Sequence, residues 1–332
     1  MSKLGKFLET YGVLVAFAVL FIVSALMQPD VFLKPENLKN LLNQNVSVGI
    51  IAIGMTIVIM TGGIDLSVGS LLAVSSALSL LALNKFIAGG GSESSAATLA
   101  ILVCIVAGTA FGALNGFLVA YARVAPFVAT LVGLVSFRSL CLALAQGGEI
   151  RSSSTELFPQ LGRDGIPVPF LKIGGGLPLV ITYAILLFLL CAFAAWFLLK
   201  WTRFGRYVVA TGANERAAVY SAIPAHRIKF WAYTLLGTFT GLAAVAQVTR
   251  MNSVASGSMG MFYELDAIAA VVIGGTSLRG GRGRIWATVL GVLLLGVISN
   301  MMVVKGVDVY WQGVVKGVII LGAVLLQRGR EE

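Results

Sequence analysis

Nine long apolar runs, at about 12–27, 45–60, 71–83, 98–122, 127–145, 177–199, 230–249, 285–304 and 309–327, follow one another, separated by polar stretches of which 146–176 is the longest. A helix rises about 1.5 Å per residue, so about twenty residues cross the hydrocarbon core of a bilayer. Repetition of runs near that length leaves little choice of fold. Only 11% of the chain is charged and 58% is hydrophobic, whereas soluble domains carry about a quarter charged residues. The expectation is an all-α, polytopic integral membrane protein formed by one transmembrane domain over residues 1–332. A tenth element, 265–275, has only eleven residues and reads as a half-helix or a short re-entrant helix. For 12–27 a cleaved signal peptide is the rival reading; the charge pattern downstream works best if that run is retained.

Charge orients the bundle. Residues 200–230 carry Lys200, Arg203, Arg206, Arg216, Arg227 and Lys229 against the single acid Glu215. Basic loops stay on the cytoplasmic side, which places this segment, and with it both termini, in the cytoplasm. Ten membrane elements then put fourteen Lys/Arg inside and eight outside. The mixed stretch 146–176 becomes an external loop. The formal charge of +10 belongs to these loops and to anionic lipid, with no call for nucleic acid. Cys104, Cys141 and Cys191 lie in apolar runs without CxxC spacing, and His226 has no second histidine to share a metal. The sequence has no GxxxxGKS/T phosphate loop, HExxH or GxSxG. No catalytic residue, bound cofactor or metal is expected.

Several polar groups sit where an apolar chain should exclude them. TGGIDLSVGS, 61–70, sets Asp65 and Ser67 beside Gly62 and Gly63 between two apolar runs. A carboxylate there is costly unless paired or wet. Two readings stay open: a turn with Asp65 as helix cap, or a wall of a transport path. Glu264 and Asp266 sit just before the apolar part of the short element 265–275, at the end of a helix that favours acids. Discontinuous helices recur at transporter substrate sites; a re-entrant structural element is the alternative. Arg138 and Lys316 are single cations within spans, and Arg138 should face the interior and meet an acid or carbonyls. Asn115, Gln247, Asn300 and Gln312 are expected to bond neighbouring helices, and Gly108, Gly112 and Gly116 to form a close-packing face. Inside the basic segment, 214–223 reads as one short helix, with Asn214 as N-cap, Ala217 and Ala218 as helix formers, and Pro224 as its stop.

Together GMTIVIMTGGIDLSVGS (54–70), PFVATL (126–131), RFGRYVVATGANERAA, ANERAAVYSAI (213–223) and YELDAIAAVVIGGTSLRGGRGRIWATVLG (263–291) closely resemble the permease subunits of bacterial ribose-type ABC sugar importers. The likeness runs from about residue 40 to the C-terminus. It implies a multi-pass chain of about ten helices in the bacterial inner membrane, paired with a second permease, commonly a copy of itself. Two ATP-binding subunits, which hold ATP and Mg, would dock beneath, and a periplasmic or lipid-anchored sugar-binding protein above. Residues 212–224 match the family's cytoplasmic coupling loop, similar to the EAA loop of other importers. Gly212, Asn214, Glu215, Arg216, Ala217, Ala218, Tyr220, Ser221 and Ile223 are thereby expected to contact the ATPase, with the apolar members filling its groove. Relatives often have Ser-Gly-Ile where this chain has Ser221, Ala222 and Ile223; alanine there is expected to tighten the helix end. The path candidates are Asp65, Ser67, Asn115, Phe127, Glu264 and Asp266. A monosaccharide is the expected cargo, with a nucleoside, polyol or signalling furanose as alternatives within the class. An ion-coupled secondary transporter is the alternative outside it, and would want paired acids deep in the spans.

Overall fold

The computed structural model describes residues 3–172 and 178–331 and is mostly helical. The chain opens with α1 (Lys3–Met27), the single turn α2 (Pro29–Phe32), α3 (Pro35–Met60), α4 (Val68–Ala88), α5 (Glu93–Ala120) and α6 (Pro126–Leu144). A mixed segment follows, with β1 (Glu149–Arg151), α7 (Leu157–Arg163), β2 (Gly165–Lys172) and β3 (Pro178–Thr182). Next come α8 (Tyr183–Trp201), α9 (Arg203–Ala213), α10 (Glu215–Tyr220) and α11 (Ala225–Met251). The chain closes with β4 (Ser253–Ala255), α12 (Tyr263–Ile273), α13 (Ile285–Val304) and α14 (Val309–Glu331). Among the described residues seven helices, α3, α4, α5, α6, α8, α11 and α13, are long and apolar enough to cross a membrane; α1 adds a shorter apolar stretch, Tyr11–Met27.

The helices depart from the expected boundaries in two places. The polar stretch 28–43, which separates the first two apolar runs, is largely helical. Pro29 and Pro35 each take the first position of a helix, where the missing N–H is no loss, and α3 starts ten residues before the apolar run it contains. At the other boundary, the span expected from 177 begins only at Tyr183, because Pro178–Thr182 pairs with β2 and Thr182 then caps α8. Residues 173–177 lie outside the described residues. The fold is therefore not purely helical: β1–β4 and β2–β3 form two short antiparallel ladders at the end of the bundle remote from α10.

Around α3 the core closes on every side. Val46 through Met60 are all buried, the pattern of a helix apolar all round and enclosed by others. It is flanked by α8, α11, α12 and α13. The few polar side chains on it are spent on neighbours: Ser47 Oγ donates to Gln247 Oε1 (3.0 Å), and the hydroxyls of Thr56 and Thr288 share a 2.8 Å bond. Asn37 and Asn300 exchange amide hydrogen bonds of 3.1 and 2.8 Å between α3 and α13. Gln312 instead bonds locally, to Val307 O.

The small-residue face forms as expected. A Cβ on Gly112 would stand 2.6 Å from Gly237 Cα, and one on Gly108 2.7 Å from Gly241 Cα. Glycines facing glycines let α5 and α11 meet backbone to backbone, where dispersion drives association in lipid.

Candidate functional site

At one end of the bundle α9 and α10 form a bent handle between α8 and α11. Asn214 breaks the two helices with an extended backbone, and its Oδ1 accepts from Ala217 N–H at 3.0 Å. The structure thus bears out the N-cap. The end of α10 is a Schellman motif: Ile223 N–H reaches Ala218 O (3.0 Å) and Ala222 N–H reaches Val219 O (3.0 Å). That motif needs a left-handed residue, and Ala222 supplies it at φ 59°. Alanine therefore does not tighten this helix end; its Cβ is strained there, where glycine would not be.

The handle has two faces. Ala218 is buried and Ile223 half-buried against the core, so neither is presented outward. Arg216, Ala217 and Ser221 are exposed, Val219 is 55% exposed, and Tyr220 projects with 90% of its surface free. Glu215 Oε2 takes Lys229 Nζ at 2.7 Å, tying α10 to the first turns of α11. The outward surface is thus an aromatic tip with a basic neighbour, narrower than the apolar set expected from sequence.

Gly212 joins this handle to the core. A Cβ on it would lie 1.7 Å from Met60 O and 2.5 Å from Gly281 N. Gly281 N–H itself donates to Met60 O at 2.9 Å. A Cβ on Gly280, at φ 89°, would fall 2.8 Å from Gly212 O and 3.0 Å from Gly62 N. Three backbones meet in this knot: the end of α9, the end of α3, and the loop from α12 to α13. Gly212 was expected in the coupling loop only from the family resemblance, and the glycine pair 280–281 was legible only as part of an arginine-rich loop.

From the same knot the chain runs into 61–67. Gly62, at φ 79°, ends α3 in a second Schellman motif, with its N–H on Ile59 O and that of Gly63 on Val58 O. Asp65 is fully buried. Its Oδ1 accepts from Ser67 N–H and Ser67 Oγ, both at 2.7 Å, and Oδ2 from Asn115 Nδ2 at 3.3 Å. Asn115 Nδ2 also reaches Ser67 Oγ at 2.9 Å. Tyr233 OH, in α11, donates to Ile64 O (3.0 Å). Asp65, Ser67 and Asn115 therefore form one cluster that pins the turn to α5. Phe127, more than half exposed on the first turn of α6, is no part of it.

Opposite this turn stands the half-helix. Eleven residues make α12 about 16 Å long, half a membrane span. Residues 256–262 lead into it without regular structure; Ser256, Met259 and Gly260 are buried, while Gly257, Ser258, Met261 and Phe262 are exposed. Arg138 of α6 holds this stretch, its guanidinium donating to Ser256 O and Met259 O at 2.9 Å each. The expected carbonyl partners of Arg138 are these. Gly69 and Gly260 touch through backbone, and a Cβ on Gly69 would meet Glu264 Oε2 at 2.6 Å. Asp266 pairs with Lys316 of α14 at 2.9 Å. Tyr233 and the Asp266–Lys316 pair carry no sequence signal that joins them to their partners. No group of three or more His, Cys, Asp or Glu suited to a metal occurs among the described residues.

Seven long apolar helices, with the short helix α12 and an exposed handle at one end, make this a multi-pass membrane protein. The model of the family described as "branched-chain amino acid transport system / permease component" matches residues 37–324. The chain is 42% identical over 332 residues to the ribose import permease protein RbsC of Bacillus subtilis, covering 99% of this chain and 93% of that one. It is 40% identical over 318 residues to RbsC of Escherichia coli (96% and 93%), and 32% identical to the D-allose permease AlsC of the same species (97% and 92%). No solved structure matches it. The chain belongs to this family of ABC transport-system permeases.

Proposed function

We propose that this chain is the translocation subunit of an ABC importer for a monosaccharide, ribose or a related sugar, in the bacterial inner membrane. The carrying observation is the full-length likeness to ribose import permeases, which includes the handle and the half-helix. In this reading ten elements cross or enter the membrane: the seven long helices, α1, α12 and α14, with both termini cytoplasmic. Two permease copies face one another, two ATP-binding subunits hold ATP and Mg below, and a periplasmic or lipid-anchored binding protein delivers the sugar above.

The ATPase grips the exposed face of α10, with Tyr220 as anchor and Arg216 at its rim. Movement of α10 passes through the Gly212 knot to the end of α3 and to the loop that starts α13. The Asp65, Ser67 and Asn115 cluster backs the wall of the sugar path, while Glu264, Asp266 and Phe127 are the candidates nearest its surface. An ion-coupled carrier would need acids open to the path, and Asp65 is already saturated by its own chain.

Reconstitution of the chain with its ATPase and binding protein in proteoliposomes tests this. Ribose uptake should require all three and ATP, and Tyr220→Asp should abolish co-purification of the ATPase while the permease still inserts. Uptake by the chain alone, without ATP, would sink the proposal.

A further inference from the structure

A cleft of about 310 Å³ opens at the α10 end between the last turn of α8, α9 and the first turn of α13. Trp196 and Trp286 line it with Val209, and two cations, Lys200 and Arg284, stand at it. The ammonium of Lys200 lies 5.1 Å from the ring of Trp196 and 5.6 Å from that of Trp201, within cation–π reach of both. These contacts fix a charge on a side chain that would otherwise sweep freely. Beyond the cleft, along α8, the exposed surface is apolar: Leu190, Phe193 and Phe197 are each more than half exposed. On the polar side, Arg203 and Arg206 lie on the exposed face of α9.

This order — apolar helix face, tryptophan collar, fixed cation, basic rim — matches the section of one lipid molecule from acyl chain to phosphate. Tryptophan collars mark the bilayer interface, and basic pockets between helices receive acidic headgroups. We infer that the cleft is a specific site for an anionic phospholipid. Its phosphate sits between Lys200 and Arg284, and one acyl chain runs over Trp196 along α8. The inference rests on the chain lying in a membrane and is independent of the sugar or the ATPase. The site also touches Met60 and Gly283, so an occupying lipid would brace the backbone knot through which α10 is joined to α3.

Brominated lipids quench nearby tryptophan fluorescence and therefore read occupancy of this cleft directly. The full chain is reconstituted in phosphatidylcholine vesicles with Trp231→Phe and Trp311→Phe, leaving Trp196, Trp201 and Trp286 as reporters. Brominated phosphatidylglycerol should outcompete brominated phosphatidylcholine by on the order of fivefold per engaged cation. Lys200→Gln, and separately Arg284→Gln, should each lower that preference several-fold without changing quenching by brominated phosphatidylcholine. Inorganic phosphate at millimolar concentration should leave the preference intact. Equal quenching by the two lipids in the parent chain would show an unselective lipid shell, or a cleft closed by another copy of the chain, and overturn the proposal. Relief of quenching by phosphate alone would assign the cations to a free anion, with the same consequence.

Discussion

Gly212→Ala isolates the contact through which the handle meets the core. The backbone of Gly212 is not in the left-handed region, so alanine is conformationally welcome. In an isolated helix it would be favoured over glycine by about 1 kcal/mol. The added Cβ, however, would stand 1.7 Å from Met60 O, where ordinary contact begins at 3.4 Å. The end of α9 must retreat by about 1.7 Å, the difference of the two. Met60 O belongs to the last residue of the most buried helix and has little room to yield. Overpacking of this kind costs about 1–3 kcal/mol, and loss of the Gly281 N–H to Met60 O bond about 1 kcal/mol more. After the helix gain, a net loss of about 1–3 kcal/mol remains, and α10 is shifted relative to α3. Thermal unfolding of the purified permease in detergent reads the stability. Sugar taken up per ATP hydrolysed by the reconstituted complex reads the coupling. The variant should be less stable, should still bind the ATPase through Tyr220, and should lose most of its uptake per ATP. Gly257→Ala, whose Cβ would meet nothing within 4 Å, is the control. A Gly212→Ala permease as stable as the parent, with normal uptake per ATP, would refute the argument.

Two further variants test the handle's end and the half-helix. Ala222→Gly should stabilise α10 by about 0.5–1 kcal/mol, because strain at φ 59° is relieved while a more flexible unfolded chain takes part of the gain back; slower amide exchange at Ser221–Ile223 is the readout, and unchanged exchange would remove the strain from the account. Arg138→Leu leaves Ser256 O and Met259 O without their charged donor, at a cost of about 3 kcal/mol or more for two such bonds. It should expose 256–262 to proteolysis before the rest of the permease unfolds, with Arg138→Lys intermediate.

Legibility from the sequence followed the range of the interaction. Apolar runs, proline and glycine stops and the Asn214 cap are local, and they placed the spans and the handle. The start of α3 was missed because Glu36, Asn37, Lys39 and Asn40 are polar: a helix that extends beyond its apolar section has no period to show there. The ladder of β1 with β4 was missed because strands of three residues, about a hundred positions apart, lie below any pattern. Arg138 announced that it needed a partner, since a cation in a span always does. Which partner could not be read, because backbone carbonyls carry no sequence mark. The same holds for Gly212: its spacing suggested nothing, and only the approach of Met60 O explains why a side chain is excluded there.

Held carboxylates also bear on what such a path can carry. Asp65 receives three hydrogen bonds from Ser67 and Asn115, and Asp266 is neutralised by Lys316. In the proposed reading, Asp65 has its lone pairs taken by neutral donors and Asp266 its charge paired, so Glu264 with hydroxyl and amide groups would be the main means of recognition. A neutral polyhydroxylated cargo suits such a wall, because weak contacts let it leave as readily as it enters. In the proposed assembly, tight selection would then fall to the binding protein, which meets the sugar before the membrane does. In that assembly the permease would be left with a mechanical task, which suits glycines where backbones touch, a capped helix at the end, and an arginine that holds the chain before α12 in place.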